Sequence, residues 1–150
     1  MNWIIIVAIV IVAFVSLLSI SHIRFCMLMK KKGGAETVFR PLIDEMLKYD
    51  SGQILESKAT NVTISGSFKD SSLLRGGNSL SFLYEKGIWT LYIQQNFKLI
   101  SIFYIVERPC EGGYKKFKWE FSTDDDINDI VKFIDTAVSD INDKYGILIE

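Results

Sequence analysis

The sequence predicts an α+β protein behind one amino-terminal transmembrane helix, and three observations carry that expectation. Residues 3–20, WIIIVAIVIVAFVSLLSI, hold no charge, and about 18 such residues can cross a ~30 Å hydrocarbon core as one helix. Between about residues 53 and 121 the apolar pattern has a period near two, as half-buried strands do. Stretches with helical spacing flank that region, at residues 38–47 and 127–145. The expected order is therefore span, helix, antiparallel meander of five or six strands, and long carboxy-terminal amphipathic helix.

The apolar segment reads as a span rather than a cleaved signal peptide. A signal peptide has an h-region of about 7–15 residues and a small-x-small cleavage site. This run is longer, and Ser21-His22-Ile23-Arg24-Phe25-Cys26 offers neither that site nor a lipoprotein box. Lys and Arg within about 15–20 residues of a span favour the cytoplasmic side. None precedes the span, whereas Arg24, Lys30, Lys31, Lys32 and Arg40 follow it. The expected protein lies in the cell membrane with its amino terminus outside and its domain cytoplasmic. Trp3 is expected in the outer interfacial belt, with Arg24 snorkelling toward the inner surface. Lys30, Lys31 and Lys32 are read as setting topology, the alternative being contact with anionic headgroups at about 1 kcal/mol per basic residue. Residues 1–29 are then the anchor, 30–36 a basic and glycine linker jointed at Gly33-Gly34, and 37–150 the cytoplasmic α+β domain.

Within that domain, Val38, Phe39, Leu42, Ile43, Met46 and Leu47 form a helical stripe directed at a sheet. Pro41 places the helix start between residues 37 and 41, and Asp50-Ser51-Gly52 ends it. Val62, Ile64 and Phe68 alternate with Thr63, Ser65 and Ser67 in a strand. Segments 80–84 and 88–93 are expected to flank a hairpin at Glu85-Lys86-Gly87, where glycine adopts positive φ cheaply. Asn96 marks a turn before a strand over 97–106, and residues 109–113 form the next turn. Phe117, Trp119 and Phe121 then oppose Lys116, Lys118 and Glu120 across one strand. Short connections imply antiparallel neighbours. Ser122 or Thr123 is the expected N-cap of the closing helix, with Asp125 or Asp126 capping in return. Ile127, Ile130, Val131, Ile134, Val138, Ile141 and Tyr145 form its stripe, Gly146 ends it, and Asp129, Asp135, Asp140 and Asp143 face solvent.

Several chemistries find no support in the residues. The single histidine, His22, lies at the edge of the span, so the domain has no imidazole base or zinc ligand. Cys110 therefore lacks an activating partner, and Cys26 with Cys110 suits a reducing compartment better than a disulfide framework. Asp124, Asp126 and Asn128 occupy alternate positions of a calcium loop. However, Asp129 stands where that loop needs glycine and Asp135 where it needs glutamate. Helix capping accounts for the same aspartates. Gly33-Gly34, Gly76-Gly77 and Gly112-Gly113 lack the strand-to-helix context and the lysine of a phosphate cradle. Residues 33–150 carry 18 acidic against 13 basic side chains, a poor composition for nucleic acid. Asn61-Val62-Thr63 matches a glycosylation acceptor, which a cytoplasmic domain leaves unused. The expectation is a non-enzyme with no cofactor and no metal.

One strand departs from clean alternation. From Leu99 to Val106 both faces are apolar, and the segment around Trp89 and Tyr92 shares that character. Two apolar faces imply that both are covered. A helix layer could cover one side, and a curled sheet or the first helix the other. Otherwise either Ile100, Ile102, Tyr104 and Val106, or Leu99, Phe103 and Ile105, should meet a partner, and the first set is taken as the candidate surface. The expected function is a non-catalytic, membrane-anchored protein that binds a protein partner, as a complex subunit or immunity-type inhibitor. The alternative is a tethered lipid- or small-ligand sensor with a void lined by Trp89, Phe103 and Trp119. Expected partners are the lipid bilayer and a protein, with no nucleic acid.

Overall fold

The structure, a computed structural model, describes residues 2–49, 51–70, 86–108 and 113–149. It opens on α1 (Asn2–Lys31), whose apolar side chains through Ile23 are exposed along the helix. This helix is long and apolar enough to cross a membrane, which is consistent with membrane anchoring. Its polar atoms are satisfied locally: Ser16 and Ser19 hydroxyls donate to the carbonyls of Val12 and Val15 at 2.7 and 2.9 Å. Such bonds lower the cost of carrying a hydroxyl in apolar surroundings.

Five strands form the meander: β1 (Gln53–Ser57), β2 (Asn61–Asp70), β3 (Lys86–Asn96), β4 (Leu99–Arg108) and β5 (Gly113–Ser122). They lie in sheet order β1-β2-β3-β4-β5, each antiparallel to its neighbour. The fold class is α+β, as the periodicities indicate. A two-residue β6 (Ile147–Leu148) was not foreseen; it pairs with Lys69 and Asp70 of β2, past the end of β1. Gly87 also differs from expectation. It lies inside β3 opposite Phe68 rather than at a hairpin turn. A Cβ there would sit 2.0 Å from the Phe68 ring, so the ring occupies the space a side chain would need. Segment 80–84, Glu85, residues 109–112 with Cys110, the Gly76-Gly77 pair and Asp50 lie outside the described residues.

The first domain helix is divided. α2 (Gly34–Val38) and α3 (Arg40–Met46) meet at Phe39, whose backbone leaves helical geometry. Pro41 sits in the first turn of α3, where its missing N–H removes no intrahelical bond. The segment read as a linker is taken up by structure: α1 runs to Lys31, and Gly33 and Gly34 both have positive φ, 92° and 78°. Ala35 is buried and its N–H bonds the Lys58 carbonyl at 3.3 Å. The last helix, α4 (Ile127–Tyr145), starts later than its hydroxyl candidates suggested. Asp126 is the N-cap, accepting from the Asn128 N–H at 2.8 Å, while Asp125 accepts from the Ser122 N–H at 2.7 Å. Gly146 closes it with φ 66°, as expected of a left-handed C-cap.

Buried residues of α2, α3 and α4 join the inner side of the sheet in one core. The expected stripe holds, with Ile130, Ile134 and Val138 buried; Asn142 continues it, a polar residue that periodicity did not select. Its carboxamide oxygen accepts from the buried Tyr104 hydroxyl at 2.9 Å. Burial pushes the Tyr104 phenol well above its ordinary 10.0; nearby Tyr49 adds to the rise and the Asn142 bond opposes it. Burial, then the Asp135 and Glu45 carboxylates, also raises Tyr49. A phenol raised on folding stabilises the fold fully below the unfolded value and loses that contribution as pH climbs past it. The domain is therefore expected to weaken above about pH 10. Tyr104→Phe should lower stability at neutral pH by about 1–3 kcal/mol, because Asn142 loses its partner. The same change should flatten the alkaline decline. Urea melts at pH 7 and 11 check both, and an unchanged alkaline slope would discard Tyr104 as its source.

Candidate functional site

Alternation along the strands separates two faces, and their fates differ. Ile100, Ile102, Tyr104 and Val106 point inward and are buried against the helices. The set taken as the candidate partner surface is thus core, because α3 and α4 occupy that side. The outer side carries the opposite set. Register aligns Thr63, Tyr92, Phe103 and Lys118 in one row across four strands, and Ser65, Thr90, Ile105 and Lys116 in the next. Apart from Ser65, these side chains are half-buried or exposed, and none belongs to the core cluster.

The chemistry of this face is mixed. Tyr92 and Phe103 pack at 5.9 Å between ring centroids, and the Lys116 ammonium stands 4.4 Å from the Phe103 centroid. Such a contact is worth about 0.5–1 kcal/mol at an exposed site. Ser65 is satisfied by its neighbours, donating to the Trp89 carbonyl at 2.7 Å. Ile88 and Leu99 flank the rows and are exposed. An aromatic and aliphatic centre with hydroxyls on one side and ammonium groups on the other is therefore turned outward.

The rim beside this face is also open. β5 is the terminal strand of the sheet order, and Lys115, Lys116 and Lys118 line its edge, which pairs with no strand among the described residues. On its inner side Trp119 and Phe121 meet Phe133 of α4 edge-on, at 6.5 and 5.6 Å, with Phe133 still 49% exposed. Phe133 falls beside the α4 stripe, so periodicity passed it over. Tyr92, Lys116 and Lys118 are not joined to a candidate surface by the sequence, because only the strand register puts them in line with Phe103.

The remaining sequence-derived positions lie along α1. Trp3 is in its first turn and Arg24 on its exposed surface; Lys30 and Lys31 are in the last turn, with Lys32 just beyond. His22 Nε2 lies 3.6 Å from Cys26 Sγ, one turn apart on this helix. Among the described residues no group of three or more His, Cys, Asp or Glu could hold a metal. Trp89, Phe103 and Trp119 do not line one void: register sends Phe103 outward while Trp89 and Trp119 face the core.

Fold and surface together define an α+β domain carrying one amino-terminal helix of membrane-spanning length. Comparison with family models, with curated proteins and with solved structures finds no match.

Proposed function

We propose that this chain is a single-pass, non-catalytic membrane protein whose cytoplasmic domain binds a protein partner through the outer face of its sheet. The observation that carries the reading is the one-sided placement of the helices. All described helical core residues pack on the inner face, which leaves Tyr92, Phe103 and Ile105 as an outward apolar centre beside Lys116 and Lys118. An apolar patch with an acidic rim is the complementary partner surface. Exposed apolar patches of a few hundred Å² commonly mark such contacts. The amino-terminus-outside orientation is supported by Arg24, Lys30, Lys31, Lys32 and Arg40, all of which follow the apolar segment. A subunit of a membrane complex and an immunity-type inhibitor both use a surface of this kind.

A photo-crosslinking amino acid at Phe103 tests the partner surface in native membranes. It should give one discrete adduct, and the same group at Asp140, on the solvated side of α4, should give none. Equal adducts at both positions, or none at Phe103, would reject the surface. Asp140→Cys in a Cys26→Ser, Cys110→Ser chain should react with an impermeant thiol reagent only after the cells are opened. Reaction in intact cells reverses the orientation.

A further inference from the structure

The turn between β3 and β4 consists of Phe97 and Lys98, with Asn96 and Leu99 paired across it. Phe97 has φ 52°, the one non-glycine residue with positive φ among the described residues. Turn chemistry favours glycine or asparagine at such a position, since a side chain with Cβ is strained there. A phenyl ring in that place calls for a contact that outweighs the strain. The ring stacks on Phe25 of α1, 5.1 Å between centroids and 30° between planes, yet remains 49% exposed. Leu99 beside it is 43% exposed.

The depth of this tip follows from helix geometry. At about 1.5 Å per residue, Phe25 lies about 33 Å along the axis from Trp3, the thickness of a hydrocarbon core plus its boundary. A helix that spans from Trp3 therefore brings Phe25, and the ring stacked on it, to the interface on the domain's side. Two further observations set the domain against the same end of α1. Met29, one turn further along α1, is buried, and the Ala35 N–H bonds the Lys58 carbonyl in the turn between β1 and β2. That turn is tied to β3 in its own right, since the Gln95 N–H bonds the Thr60 carbonyl at 2.8 Å.

We infer that the β3–β4 tip is a second membrane contact, with Phe97 and Leu99 partitioned into the lipid interface beside α1. This rests on the reading of α1 as a span. The attraction is apolar rather than ionic. Lys98 is cationic, but its carbonyl accepts from the Thr123 N–H at 2.9 Å, so the acidic Asp124, Asp125 and Asp126 begin next to it. A tip so flanked gains little from anionic headgroups, and apolar rings suit the interface whatever the headgroup charge. The outcome is a domain docked on the bilayer at one end of its sheet.

The full-length chain, with Cys26→Ser and Cys110→Ser, tests this in phosphatidylcholine vesicles. An environment-sensitive fluorophore is attached through Lys98→Cys, or through Lys115→Cys at the other end of the sheet. Lipids spin-labelled near the headgroup should quench the first severalfold more than the second, with little change in high salt. Phe97→Gly, which suits the positive φ and keeps the turn, should remove most of that quenching. Equal quenching at the two positions, or quenching that Phe97→Gly leaves intact, overturns the inference. A fluorophore at Val12→Cys keeps the two readings apart: deep-labelled lipids quench it wherever α1 spans, whatever the tip does.

Discussion

Ile134→Asp is expected to abolish folding of the domain, the largest effect of any single change considered. Ile134 is fully buried in α4, over the inner face of the sheet. Replacing it removes about 1.5–3 kcal/mol of side-chain burial. It also places a carboxylate in the core without a partner, a further penalty of several kcal/mol. Together these approach the whole stability of a small domain, about 5–15 kcal/mol. The neighbouring Asp135 is exposed, and Asp135→Ala should stay within about 0.5 kcal/mol of the parent. Its trace should be a lowered Tyr49 pKa, because the Asp135 carboxylate is one of the groups that raises it. Circular dichroism melts of the detergent-solubilised chain separate the two variants. Coincident midpoints would mean that the buried side of α4 is assigned wrongly.

Gly87→Ala is expected to destabilise the sheet where β3 crosses Phe68. The added Cβ would fall 2.0 Å from Phe68 Cζ, and Phe68 is buried, so the ring has no free direction in which to swing. Overpacking of this kind costs about 1–3 kcal/mol. The diagnosis makes a sharper demand on the pair. Phe68→Ala alone should cost about 3–5 kcal/mol through the cavity it leaves. With that ring gone Gly87→Ala should be nearly free, so the double variant should be more stable than the sum of the singles implies. Strict additivity would show that the glycine answers to something other than the ring.

What was legible in the sequence was set by short-range periodicity. Phe117, Trp119 and Phe121 alternate with Lys116, Lys118 and Glu120, so β5 announces both of its faces. Ile130, Ile134 and Val138 recur every fourth residue and found their core. Periodicity does not say which side of a two-sided apolar strand the helices will choose, however. Ile100 and Phe103 are equally apolar, and only the positions of α3 and α4 decide that the first is core and the second surface. Likewise Gly87 reads as a turn residue until its neighbour across the strands is known to be Phe68. Phe97 did carry a local signal: an aromatic at the apex of a two-residue turn runs against turn chemistry, and such conflicts tend to mark function.

The chain order of these elements has a consequence for biogenesis. The five-stranded meander is complete at Ser122, before any residue of α4 has been made, and only the two residues of β6 join the sheet later. At about 5–20 residues per second, synthesis of the 19 residues of α4 takes roughly 1–4 s. During that interval Ile100, Ile102, Tyr104 and Val106 have only α2 and α3 with which to shield them, and α1, where it spans a bilayer as proposed, would hold them next to lipid. In that arrangement nascent sheet and bilayer would compete for one apolar surface until Ile130, Ile134 and Val138 arrive to claim it. The final helix would then do more than fill the core: its arrival would remove an apolar surface from the reach of the bilayer.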